Sequence, residues 1–150
     1  MRSEPSPAFL IEKAGLRATE VRERVLSELR KAERPLSHPE LAALLAGLDR
    51  VTVFRSLKAL KAKGLLHSVQ GVDGLLRYVA NPEEARGCPG GHPHFLCEGC
   101  GAMVCLPGQA MPRIEVPRGS VVSGKQLLAY GLCPACAARD KKARRKGEFR

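Results

Sequence analysis

The sequence predicts an α+β chain, with an N-terminal winged helix-turn-helix followed by a small zinc-containing α/β domain. Three observations carry this expectation. Helical apolar periodicity recurs up to Gly64, then gives way to two short β-prone runs around Gly71-Val72-Asp73-Gly74. A stretch rich in Pro, Gly and charge, from Asn81 to Gly91, separates two halves of different character. Beyond it, Cys97-x-x-Cys100 and Cys133-x-x-Cys136 offer two thiolate pairs a few dozen residues apart, a spacing that favours zinc.

Taken in order, Pro5 and Pro7 mark a loose start, and Ala8 to Ala14 fits a short helix stopped at Gly15. Thr19 is placed to cap a second helix, with Val21, Val25, Leu26 and Leu29 on one face. Ser37-His38-Pro39-Glu40 reads as a capping box, in which hydroxyl and carboxylate satisfy the amides of a helix start. Leu41, Leu44, Leu45 and Leu48 form the expected buried stripe of that helix. Asp49 caps the next, whose inner face is Val53, Leu57 and Leu60. Three helices and a hairpin make this last helix the candidate recognition helix. Its predicted outward face is Thr52, Arg55, Ser56 and Ala59, flanked by Phe54, Lys58 and Lys61.

In the second half, His92 to Leu106 reads as two short strands around the first Cys pair, and Gln126 to Leu132 as a strand leading into the second. Pro112 and Pro117 exclude a long helix between residues 108 and 124. From Arg139 onward a frayed or disordered basic tail is expected. The predicted organisation is a winged-helix domain over 1–80, a hinge over 81–91, a zinc-binding domain over 92–138 and a basic tail over 139–150.

Composition narrows the partners. The chain has 150 residues and a formal net charge of +10, with seven basic and two acidic residues between Arg139 and Arg150. Nucleic acid is the first candidate partner and an acidic membrane surface the second. No apolar run approaches the roughly 20 residues that span a bilayer, and the N-terminus lacks a signal-peptide pattern, so cytoplasm is the expected compartment. Aromatic residues make up 4% of the chain and Trp is missing, so a metal staple would supplement a thin core.

The chain has six cysteines and four histidines. Cys97, Cys100, Cys133 and Cys136 are assigned to a closed structural zinc, against the alternatives of disulfides or a redox dithiol. His38 belongs to its capping box. His67, Cys88, His92, His94 and Cys105 remain as candidates for a second metal. His92 and His94 stand two apart, so on a strand they share a face. A metal held by the wing, the hinge and the second domain together would fix the angle between the domains.

These residues resemble the ferric uptake regulator family of bacterial metal-dependent repressors, over roughly residues 10 to 137. Gly15-Leu16-Arg17-Ala18-Thr19 with Arg22 is similar to the family's opening segment, and Thr52-Val53-Phe54-Arg55 resembles its recognition-helix signature Thr-Val-Tyr-Arg. His92-x-His94-x-x-Cys97-x-x-Cys100-Gly101 with Cys133-x-x-Cys136 resembles its zinc pattern. The resemblance implies a homodimer with a C-terminal dimerisation domain, and DNA contacts from Arg17, Arg22, Thr52, Phe54, Arg55, Ser56 and Lys58. It also implies a hinge metal that favours a closed, DNA-binding form.

Gly64-Leu65-Leu66-His67 and Tyr130-Gly131-Leu132-Cys133-Pro134-Ala135-Cys136 are most similar to the zinc uptake regulators. That similarity implies a sensing zinc on His67, Cys88, His94 or His92, and Cys105. Cys105 stands where the family usually has Glu or Asp, and Val79 where iron-type members often carry a carboxylate. Thiolates favour zinc over iron or manganese.

The expected function is therefore a zinc-responsive repressor that binds a palindromic operator as a dimer, with no membrane or small-molecule partner. The alternatives are the same family sensing iron, manganese or peroxide, and a constitutive winged-helix and zinc-ribbon transcription factor. Enzymatic readings are disfavoured. Neither Cys-x-x-Cys follows a Pro, as a zinc deaminase requires.

Overall fold

The computed structural model describes residues 4–32, 34–81 and 92–140. Helix α1 (Pro7–Lys13) starts at Ser6, whose hydroxyl accepts from the Phe9 N–H, and Pro7 fits the first turn because no hydrogen bond is lost there. After α1, Gly15 takes φ 82° and releases the chain toward α2 (Glu20–Ala32), which buries Val25, Leu26 and Leu29. Strand β1 (Leu36–Ser37), which the sequence pattern does not reveal, leads into α3 (His38–Leu44). The expected capping box is present: Ser37 Oγ accepts from Glu40 N–H, and Glu40 accepts from Ser37 N–H.

Helix α4 (Arg50–Ala62) is capped by Asp49 and buries Val53, Ser56, Leu57 and Leu60. The hairpin is β2 (Leu66–Gln70) and β3 (Leu76–Ala80), antiparallel, with His67 opposite Val79 and β1 completing the sheet order β1-β3-β2. Leu26, Leu29, Leu41, Leu57, Leu60, Leu66 and Tyr78 belong to one core that joins the helices to this sheet.

Two expectations about helix faces are corrected. Leu44 is 54% exposed, because α3 is seven residues long and Leu45, just past its end, lies almost in line with Leu41. Ser56 is 5% exposed. At 100° per residue it falls beside Leu60 in the arc holding Val53 and Leu57, so the free face of α4 centres on Val51, Phe54, Arg55 and Lys58.

The second half holds β4 (His94–Cys97), β5 (Met103–Cys105), β6 (Leu128–Gly131) and the short helix α5 (Pro134–Arg139). The sheet order is β5-β4-β6, with β4 antiparallel to β5 and parallel to β6. The third strand is shorter than the expected Gln126 to Leu132. Residues 106–127 contain no helix or strand, in keeping with Pro112 and Pro117. Helix α5 ends at Arg139, where the expected tail begins; residues 141–150 lie outside the described residues, as does 82–91 of the expected hinge. Among the described residues no helix is long and apolar enough to cross a membrane.

The hairpin docks on the second sheet. Val69 packs in one cluster with Leu96, Met103 and Leu128. Gln126 acts as a side-chain strand, accepting from Gln70 N–H at 3.0 Å and donating to Gln70 carbonyl at 2.6 Å. These contacts place β2, and His67 with it, against β4 and β5.

Candidate metal centres and nucleic-acid interface

The first centre forms where β4 ends and α5 begins. Cys97 is the last residue of β4, Cys100 lies on the turn that follows, and Cys133 caps α5, which contains Cys136. Their four sulfurs lie within 4.8 Å of one another. A tetrahedral zinc with sulfurs at 2.3 Å needs them about 3.8 Å apart, so small adjustments would suffice. All four are thiols rather than disulfides.

Cys97 Sγ accepts the N–H of Cys133 at 3.2 Å and that of Cys100 at 3.5 Å. Burial alone would push the Cys97 thiol up, but the N–H groups of Cys133 and Cys100 outweigh it and hold the group at about 6. Its partner Cys136 is pushed up to about 11 by the Cys133 side chain and by burial. Gly99 leaves room for the cluster, since a Cβ there would sit 3.0 Å from Cys136 Sγ and crowd it. Arg139 donates to Cys136 Sγ at 3.5 Å and brings a positive charge to the cluster.

The second centre lies between the hairpin and the second sheet. His94 and Cys105 are a cross-strand pair on β4 and β5, and the His92 ring sits 4.7 Å from that of His94. Donor atoms of His92, His94 and Cys105 fall within 4.8 Å of one another. His67 stands outside that three-residue set but close enough for the charges of His67 and His92 to act on His94.

His94 is 1% exposed and neither of its ring nitrogens is hydrogen-bonded among the described residues, and His67 Nε2 is likewise buried without a partner among them. Burial, then His92 and His67, pushes His94 down to about 4; burial also lowers His67 and His92. Neutral imidazoles with buried lone pairs are what a metal requires, and unsatisfied nitrogens in a protein interior otherwise cost free energy. These residues fit a metal ion. Cys88, the remaining candidate, lies outside the described residues.

The candidate DNA face is α4 and the hairpin beside it. Phe54 is 42% exposed, and Thr52, Arg55 and Lys58 are exposed with it. Lys58 Nζ sits 5.3 Å from the Phe54 ring centre. Ser56 is excluded by burial. Thr52 Oγ1 donates to Asp49 at 2.8 Å, so this hydroxyl serves the cap; the Thr52 N–H and hydroxyl hold the Asp49 carboxyl below its ordinary range. Arg17 is exposed, while Arg22 donates to the Arg17 carbonyl at 2.7 Å.

Sequence reasoning overlooked three polar residues at this junction. Arg77, Asn81 and Gln126 each link separate segments, and no spacing rule marks Asn81 or Gln126. For Arg77 alone a signal existed, a carboxylate four residues earlier across a glycine-rich turn.

Comparisons with known proteins agree with this fold. The sequence profile of the ferric uptake regulator family matches residues 13–111. No curated protein matches the chain in sequence. Among solved structures, the Vibrio cholerae ferric uptake regulator aligns with a TM-score of 0.60 at 18% identity, covering 84% of this chain and 98% of that one. A zinc uptake regulator complexed with zinc and DNA aligns with a TM-score of 0.58 at 21% identity, covering 91% and 98%. Holo XcZur aligns with a TM-score of 0.55 at 26% identity, covering 87% and 96%.

Proposed function

The chain belongs to the ferric uptake regulator family, and from that membership we propose that it is a zinc-responsive repressor binding palindromic operator DNA as a homodimer. Members of the family are metal-responsive DNA-binding regulators, not enzymes. The observation that carries the choice of zinc is the donor set of the second centre. It comprises two imidazoles and a thiolate, with no carboxylate in the cluster among the described residues. Soft sulfur and imidazole donors suit zinc, whereas iron and manganese sensors rely on carboxylates. Val79, opposite His67 on β3, adds no donor.

In this reading Cys97, Cys100, Cys133 and Cys136 hold a structural zinc, and His67, Cys88, His94 or His92, and Cys105 hold the regulatory one. When bound, zinc supplies at the second centre a divalent charge faced by donors from both sides of the junction. His67 comes from the wing and His94 and Cys105 from the second sheet, so ligation and docking of the wing share one geometry. Moving a 1:99 population to 99:1 takes about 5.5 kcal/mol of differential affinity.

With the wing docked, α4 presents Arg55 and Lys58 to phosphates and base edges, and Val51 and Phe54 to thymine methyls. Arg17 adds a phosphate contact. The working division is a DNA-binding part over 1–80, a hinge over 81–91, a dimerisation part over 92–138 and a basic tail, acting in the cytoplasm.

The test is Cys105→Ser with metal competition. The variant should keep one tightly held zinc per chain and lose zinc-dependent DNA binding, and wild type should prefer zinc to iron or manganese at its second site. A Cys105→Ser protein that still answers normally to zinc would refute the assignment.

A further inference from the structure

We propose that Asn81 is a positioning residue for the second centre. Its side-chain amide fixes which nitrogen of His67 is left to bind metal, and ties that histidine to the end of the recognition helix. The inference rests on His67 being a ligand and extends that reading to a residue no ligand pattern includes.

Gly64 follows the α4 cap, takes φ 75°, and offers its carbonyl to Asn81 Nδ2 at 2.7 Å. A carbonyl accepts and cannot donate, so the nitrogen of the Asn81 amide must face Gly64 and the oxygen must face the other way. That oxygen, Oδ1, is hydrogen-bonded to His67 Nδ1. It too can accept and not donate, so Nδ1 carries the proton. In the neutral ring the lone pair then resides on Nε2, the nitrogen that is buried with no partner among the described residues. His92 lies close enough for its charge to act on the His67 ring.

The backbone adds a second hold. Asn81 N–H donates to the Leu65 carbonyl at 2.9 Å, which continues the β2–β3 ladder past its last pair and pins the amide in place. One residue therefore spans from the metal-facing ring to the first carbonyl beyond the α4 cap. Hydrogen bonds of this kind to the far nitrogen of a ligating histidine set its tautomer and orientation, and losing them typically lowers metal affinity about 10–100-fold.

Two substitutions separate the two roles. Asn81→Ala removes both bonds, while Asn81→Asp keeps an acceptor for Nδ1 and removes the donor to Gly64. In metal-free, reduced protein, ¹⁵N NMR should find His67 in the Nδ1–H form, and Asn81→Ala should shift it toward Nε2–H. Zinc titration against a chromophoric chelator should show Asn81→Ala losing about 10–100-fold in second-site affinity, with the first zinc retained. Asn81→Asp should keep that affinity while the effect of zinc on DNA affinity falls by about fivefold or more.

His67 in the Nε2–H form in wild type overturns the proposal. So does wild-type zinc affinity in Asn81→Ala when His67→Ala has lost it, and undiminished coupling in Asn81→Asp overturns the link to α4. Wild-type second-site affinity in His67→Ala instead defeats the ligand assignment, and the tautomer measurement then still decides the positioning of His67 by Asn81.

Discussion

Arg77 reaches across the junction to Gly101: its guanidinium donates to the Gly101 carbonyl at 2.9 Å through Nη2 and at 3.3 Å through Nε. The same guanidinium holds Asp73 by two bonds, at 2.8 and 3.0 Å, and Arg77 is 1% exposed. Gly101 closes the turn that carries Cys97 and Cys100, and Asp73 lies in the turn of the wing. One buried cation thus joins the wing to the first metal centre. A Cβ on Gly71 would collide with both Asp73 and Arg77, so the turn is built around this pair.

Replacing Arg77 by Met should lower stability by about 1–3 kcal/mol, because the Gly101 carbonyl loses its charged donor in a buried place. Chemical denaturation of zinc-loaded protein measures this. An unchanged midpoint would mean the contact contributes nothing.

The pair also predicts a pH dependence. The Arg77 side chain holds the Asp73 carboxyl down at about 2, below its unfolded value of about 3.9. A lowered carboxylate stabilises the fold above the unfolded value, and that contribution disappears as pH falls toward 2. The stability difference between wild type and Asp73→Asn should therefore shrink between pH 4 and pH 2. Because the Asp73 side chain is partly exposed, solvent screening keeps the effect modest. A difference constant over that range would refute it.

On the DNA face, Lys58→Ala should weaken binding to all sequences about equally and reduce the salt slope by about one. Ser56→Ala should leave the slope unchanged, since Ser56 is buried among Val53, Leu57 and Leu60. Fluorescence anisotropy at several salt concentrations separates the two. A Ser56→Ala slope as reduced as that of Lys58→Ala would reinstate the outward face predicted from sequence.

Removal of the first metal should be structural in effect. Cys97→Ser or strong chelation should unfold the second sheet while α1–α4 keep their helical signal, because a small metal-stapled unit draws folding energy from its ion. Circular dichroism with zinc analysis checks this. Retained β signal in zinc-free protein would contradict a structural role.

Much of this architecture was legible in the residues, for reasons that differ by element. The capping box at Ser37 and Glu40, the cap at Asp49 and the hairpin around Gly71 to Gly74 are local chemistry, and the structure contains them. The cysteine pairs were legible because their spacing has few other uses. Ser56 was misread because polar residues are expected outside, whereas helical phase places this one beside Leu60. Leu44 was misread because a seven-residue helix cannot bury a wide stripe. Strand β1 consists of two residues paired to Arg77 and Tyr78, far away in sequence. The roles of Asn81, Gln126 and Arg77 arise from tertiary placement and leave no periodic mark.

The most direct measurement is a titration of buffered free zinc into reduced protein with a palindromic AT-rich duplex, recording zinc per chain and DNA binding together. Two zinc per chain are expected, with DNA binding rising as the second fills. One zinc per chain with DNA binding indifferent to added metal, or binding restored by iron or manganese alone, would contradict it.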